Sequence, residues 1–291
     1  MKYIKNFFEQ FIILIQFMTR IPIPIKVDYS EKKLGKSIKF FPLVGLIIGL
    51  ILYCTHFLIA TYLKNILYSK TIIAIFLIIV EIMTVGIIHI DGLGDTFDGL
   101  FSYAKKERML EIMKDSRIGT NGAVVLILYF ITKIALISEI IAINPKYLII
   151  FPIIARLSTS TNAGLTDYAR KSGMSNAIIS ENGIFEVIFS LVLTNILVFF
   201  IIGSKGTITV FIALLFIIMF MLNVRRRAGR GSFPPLLPPT ALRRISPGFS
   251  RIRIPRRSGI SSTASMPWST IWTGAGLSRT RTHRRSLTRR L

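Results

Sequence analysis

The stretch richest in groups that could do chemistry reads His89-Ile-Asp-Gly-Leu-Gly-Asp-Thr-Phe-Asp-Gly-Leu100. On a helix, about 100° per residue places Asp91, Asp95 and Asp98 within an arc of about 60°. Three carboxylates that close repel one another and ionise poorly unless a cation sits among them. Hard oxygen donors on one face suit Mg²⁺, with Mn²⁺ as the alternative, ions that commonly bridge a protein carboxylate and a substrate phosphate. Asp91, Asp95 and Asp98 are therefore the candidate metal ligands. Gly92, Gly94 and Gly99 remove side chains around them, so that a bulky phosphorylated substrate can approach the backbone closely. His89 points about 160° away from Asp91 on an ideal helix and joins the aspartates only if the backbone breaks near Gly92. It is a base, a ligand or a side chain packed against a neighbouring helix.

Further along, Met109, Leu110, Ile112 and Met113 give residues 104–114 the pattern of an amphipathic surface helix, and Lys114-Asp-Ser-Arg-Ile-Gly119 follows. Arg117, close to Gly119 and Gly122, suits a bidentate grip on a phosphate. The competing reading is an arginine anchored among lipid headgroups. Lys114, Asp115, Arg117 and Arg156 make up the candidate substrate-binding set. Glu81, Lys133 and Arg156 fall inside long apolar runs, where charges are costly and normally pair or line a polar cavity. Glu81 is expected to pair with Lys133 or Arg156, and a purely structural clasp is the alternative to a functional one.

The elements that must position these residues are membrane helices. The chain is 52% hydrophobic, with a mean hydropathy of +0.59, far from the composition of a water-soluble domain. Six apolar runs, at about 40–63, 71–90, 122–143, 147–165, 184–202 and 207–223, are long enough or nearly so to cross a bilayer core of about 30 Å. The expectation is an all-α polytopic bundle. A shorter run, 7–18, contains Glu9, Gln10 and Gln16 and reads as an interfacial or re-entrant helix. No cleavable signal is evident. Cys54, the single cysteine, lies in the first span, which excludes an intramolecular disulfide and a thiolate metal cluster.

Loop charge sets the expected orientation. With the N-terminus inside, the cytoplasmic loops at 20–39, 91–121 and 164–183 carry 13 Lys and Arg residues, against four in the loops on the other side. That asymmetry favours an inside N-terminus and places the aspartates after Ile90 on the cytoplasmic side. An acidic cluster at one membrane face is not where a transporter would most naturally put its ion site, at mid-depth with access to both sides. A solvated membrane-exit loop does not require aspartates at i, i+4 and i+7 among glycines.

The sequence resembles the cobalamin synthase family, adenosylcobinamide-GDP ribazoletransferases, from about Ile12 to Asn223. The likeness is carried by Phe17-Met-Thr-Arg-Ile-Pro-Ile-Pro24, Phe41-Pro-Leu-Val-Gly45, His89-Ile-Asp-Gly-Leu-Gly-Asp-Thr-Phe-Asp-Gly99 and Met113-Lys-Asp-Ser-Arg-Ile-Gly119. It implies a Mg²⁺-dependent transfer in which α-ribazole, or its 5′-phosphate, displaces GMP from adenosylcobinamide-GDP. On that reading the aspartates hold the metal, Asp98 or His89 takes the proton of the attacking hydroxyl, and Arg117 holds a phosphate. The implied setting is the cytoplasmic membrane of a bacterium or archaeon, with the bilayer as a partner, no nucleic acid, and a homo-oligomer left open. The nearest rival, a CDP-alcohol phosphotransferase, would need Ala-Arg at the positions of Asp95 and Thr96.

The chain departs from the family pattern after Asn223, where a Gly-Gly-x-Thr-Gly-Asp segment and a final membrane helix are not recognisable. Residues 225–291 hold 16 Arg and no Lys, Asp or Glu, so most of the net charge of +23 belongs to this tail. Its Arg, Pro, Ser and Thr composition has no sustained apolar period, which separates it from a catalytic segment at 1–224 and reads as disordered or non-native sequence, the competing reading being a nucleic-acid or lipid-headgroup-binding arm. The remaining alternative for the whole chain is an inactive member of the family, disrupted at this end.

Overall fold

The computed structural model describes residues 2–66, 68–165, 179 and 181–227, and no strand occurs among them. The Arg-rich tail beyond Arg227 lies outside the described residues. In chain order the helices are α1 (Lys2–Met18), α2 (Glu31–Lys36), a 3-10 turn (Ser37–Phe40), α3 (Phe41–Tyr62), α4 (Lys70–Val85), α5 (Ile88–Leu100), α6 (Lys106–Ile112), α7 (Thr120–Ile143), α8 (Tyr147–Leu165), α9 (Ile184–Ile202) and α10 (Ser204–Arg227). Five are long and apolar enough to cross a membrane, or up to six if α4 and α5 together count as one broken span. The expected all-α membrane bundle is what forms.

Packing follows from small residues and amphipathic faces. The most extensive helix pair is α3 on α8, and glycines set how near the two come. A Cβ on Gly45 would lie 2.6 Å from the Pro152 carbonyl oxygen, and one on Gly49 would lie 2.5 Å from that of Ile149. Spaced four apart, these glycines let two backbones touch, as small residues do where membrane helices meet. Gly45 closes the Phe41-Pro-Leu-Val-Gly45 motif, so that motif is a packing device. The short N-terminal helix α1 buries Ile13 and Leu14 completely while Ile4, Phe7 and Phe8 stay exposed, and it is not among the membrane-length helices.

The second apolar run is not the straight span expected over 71–90. Gly86 adopts a left-handed φ of 85°, a conformation that costs glycine little, and α5 leaves α4 at 97°. The turn is fastened from both sides. Gly86 donates to the Ile82 carbonyl and Arg20 donates its backbone N–H to Thr84, each at 2.7 Å. The Phe17 to Pro24 motif thus runs along the elbow between α4 and α5. The chain breaks six residues before Gly92, and α5 is continuous through the aspartates.

Candidate functional site

Because α5 stays helical, its residues divide between two faces. Asp98 sits where α5 meets the start of α7. One of its carboxylate oxygens accepts the backbone N–H of Gly119 and the other that of Gly122, both at 2.8 Å. This is helix capping supplied from another helix, since the first backbone N–H groups of α7 have no partner within it. The two glycines are small for a reason. A Cβ at either position would run into the Asp98 carboxylate, and at Gly122 also into the Gly94 carbonyl oxygen, 2.9 Å away.

Asp95, like Asp98, is half-buried, and Asp91, one turn before it, is exposed. Among the described residues no three His, Cys, Asp or Glu side chains converge as a metal cage. The expected glycine clearing is also smaller than the sequence suggested. A Cβ on Gly92 meets open space, whereas Gly94 lies against Leu126 and Gly99 lies under Met113 and Met109. Two of the three glycines therefore serve helix contacts. Gly99 is where the helix expected over 104–114, observed as α6, comes down onto α5.

The segment after α6 lies exposed beside this corner. Arg117 grips Asp115 through its side chain, with Nε–Oδ1 at 3.0 Å and an Nη–Oδ2 contact at 2.6 Å, and its backbone N–H donates to the same carboxylate at 3.1 Å. The Arg117 hydrogen bonds hold the Asp115 carboxyl down at about 2, below its ordinary 3.8. Lys114, also exposed, precedes the pair. Arg117 is thus two residues from the Gly119 amide that binds Asp98.

The opposite face of α5 looks elsewhere. His89, Leu93 and Phe97 line a cavity of about 770 Å³ between α4, α5, α7 and α8, shared with Glu81, Tyr129, Lys133, Phe151 and Arg156. Lys133 pairs with Glu81 at 2.8 Å and donates to the Tyr129 hydroxyl at 2.9 Å, so the expected pairing of Glu81 with one of the two cations is the one observed. Arg156 is buried. The structure therefore does not bring His89 or Arg156 to the aspartates; it puts them across α5 from Asp91, Asp95 and Asp98. The helical period alone placed His89 opposite Asp91, and a break at Gly86 leaves that relation intact. Tyr129 and Phe97 were not singled out from sequence. An apolar-run tyrosine four residues before Lys133 was the available signal for the first.

Among the described residues, five membrane-length helices, or six if α4 and α5 count as one broken span, define a multi-pass membrane protein. The family described as Cobalamin-5-phosphate synthase matches residues 10–231, and the chain belongs to that family of enzymes. It is 44% identical over 190 residues to the adenosylcobinamide-GDP ribazoletransferase of Fusobacterium nucleatum, covering 63% of this chain and 68% of that protein. To the enzyme of that name from Acetivibrio thermocellus it is 39% identical, over 71% of this chain and 80% of the relative. The Clostridium acetobutylicum enzyme of that name is 37% identical, over 77% of this chain and 87% of the relative. No solved structure matches the chain.

Proposed function

We propose that the chain joins α-ribazole, or its 5′-phosphate, to adenosylcobinamide-GDP with release of GMP, giving adenosylcobalamin or its 5′-phosphate. In this transfer the phosphorus–oxygen bond to GMP breaks, a new one forms to a ribose hydroxyl, and the hydroxyl proton departs. The observation that carries the reading is the Asp98 carboxylate bound to the Gly119 and Gly122 amides at 2.8 Å. It ties the two most specific motif segments into one corner, in a chain whose relatives bear the name of that activity.

The donor set of α5 fits a hard divalent cation. Mg²⁺ rarely takes an all-protein cage; it keeps one or two carboxylates and fills its sphere with water and substrate phosphate. Asp91 and Asp95, one helical turn apart, match that mode, and Asp98 retains lone pairs beyond the two its amide bonds use. Asp91, Asp95 and Asp98 would hold Mg²⁺, with Mn²⁺ able to replace it. When bound, the ion supplies neutralisation of the diphosphate charge and of the departing GMP.

The chain's own residues divide the rest of the work. Arg117, once it exchanges Asp115 for a substrate phosphate, offers a planar fork for two oxygens, and Lys114 adds a mobile point charge beside it. Asp98 is a poor choice for the proton acceptor, since protonation would disrupt the tie between α5 and α7. The positive-inside bias supports a cytoplasmic-membrane protein with its N-terminus and aspartates facing the cytoplasm.

The test is GMP release by the purified full chain in liposomes supplied with adenosylcobinamide-GDP, α-ribazole and Mg²⁺ or Mn²⁺. Release that needs all three supports the proposal. No release, or equal release with the metal chelated, refutes it.

A further inference from the structure

The cavity under α5 holds one more positive charge than negative. Glu81 and Lys133 cancel each other at 2.8 Å. Arg156, 9% exposed, makes no hydrogen bond or ion pair among the described residues, and its Nε is buried without a partner. His89 shares the cavity and adds no negative charge in either protonation form. A guanidinium enclosed by apolar helices is stabilised by an anion or by water, and Glu81, the acidic group of the lining, already pairs with Lys133, so the cavity is suited to a negative group from outside.

The walls describe the rest of that ligand. Ile82, Leu93, Phe97 and Phe151 make most of the surface apolar, and the volume of about 770 Å³ falls within the range of roughly 300–1,000 Å³ that encloses a small organic molecule. Guanidinium groups are best matched by the paired oxygens of a phosphate. The aspartates lie across α5, so a phosphate at Arg156 is not the one that reacts.

We propose that this cavity is a subsite for a phosphate group carried on an apolar body, with Arg156 holding the phosphate and the α4, α5, α7 and α8 side chains enclosing the body. Two molecules share that chemistry: the 5′-phosphate form of the acceptor nucleoside, which rests on the function proposed above, and a phospholipid such as phosphatidic acid, which does not.

The full chain is placed in phosphatidylcholine nanodiscs, and binding of α-ribazole and of α-ribazole 5′-phosphate is measured for the wild type, Arg156→Gln and Arg156→Lys. In parallel, the thermal stability of each is compared with and without phosphatidic acid in the disc. The expected result for a nucleotide ligand is wild-type binding of the phosphorylated form about tenfold tighter, a preference lost in Arg156→Gln and partly kept in Arg156→Lys. For a lipid ligand, phosphatidic acid stabilises the wild type and Arg156→Lys, but not Arg156→Gln. If the wild type shows neither the preference nor the lipid effect, or if Arg156→Gln retains whichever the wild type shows, the subsite is refuted. GMP release from unphosphorylated α-ribazole reports the proposed reaction separately, so either idea can fail alone.

Discussion

On one face of α5, Asp98 takes two backbone N–H groups from the start of α7. On the other, His89, Leu93 and Phe97 close a cavity that holds the Glu81–Lys133 pair and Arg156. The first face is organised by one carboxylate and two glycines at the start of α7. The second gathers charges from α4, α7 and α8, three separate helices. The continuous helix α5, set at 97° to α4 by the turn at Gly86, thus presents carboxylates in one direction and lines a mostly apolar cavity in the other. The aspartate face tolerates exposed charge because water shares it, whereas in the cavity Glu81 and Lys133 satisfy each other across two helices and Arg156 is left without such a pair.

Breaking the cavity face should have the largest effect on stability. Glu81→Gln leaves Lys133 without its counter-charge, at an expected cost of about 2–3 kcal/mol, somewhat below that of a fully enclosed pair. Adding Lys133→Met should recover most of that loss, as read by thermal unfolding in detergent. An unchanged Glu81→Gln protein, in level and activity, would dismiss the pair as a structural requirement. On the aspartate face, Gly122→Val drives a side chain into the Asp98 carboxylate and the Gly94 carbonyl. The expected loss is about 2 kcal/mol, with GMP release falling alongside it, whereas a tolerated valine would show that the Asp98 tie is dispensable.

The smallest effect belongs to the exposed Arg117–Asp115 pair. The lowered Asp115 value means that the folded chain binds this proton less readily than the unfolded one. The interaction is therefore fully present above the ordinary 3.8 and lost as pH falls through about 2. Between pH 6 and 8 it should contribute no pH dependence. In Arg117→Gln, carboxyl-selective NMR should find the Asp115 midpoint returning toward 3.8. A midpoint that stays near 2 would mean that another group holds the carboxylate down.

The membrane helices were legible because length and hydropathy are local properties, and the boundaries of α7, α8 and α9 lie close to the apolar runs at 122–143, 147–165 and 184–202. The opposition of His89 to Asp91 was legible from the helical period. The elbow was not, because Gly86 sits inside an apolar run that hydropathy reads as continuous, and its left-handed turn is fixed by Arg20 from a distant segment. Nor did spacing reveal that Gly94 and Gly99 face Leu126 and Met113, since a glycine that clears space for a substrate and one that admits a neighbouring helix look alike in sequence. The Glu81–Lys133 pair was legible from the cost of an unpaired charge within the membrane, which left Lys133 and Arg156 as the two candidates.

The proposed function places phosphoryl transfer with a divalent cation on the aspartate face of α5. Its most direct measurement is GMP release by Asp95→Asn in liposomes across a Mg²⁺ titration, beside a thermal-unfolding control. The expected result is a loss of about 100-fold or more that added Mg²⁺ does not restore, with the fold retained because the side chain keeps its shape. Wild-type turnover by Asp95→Asn at saturating Mg²⁺ would contradict it.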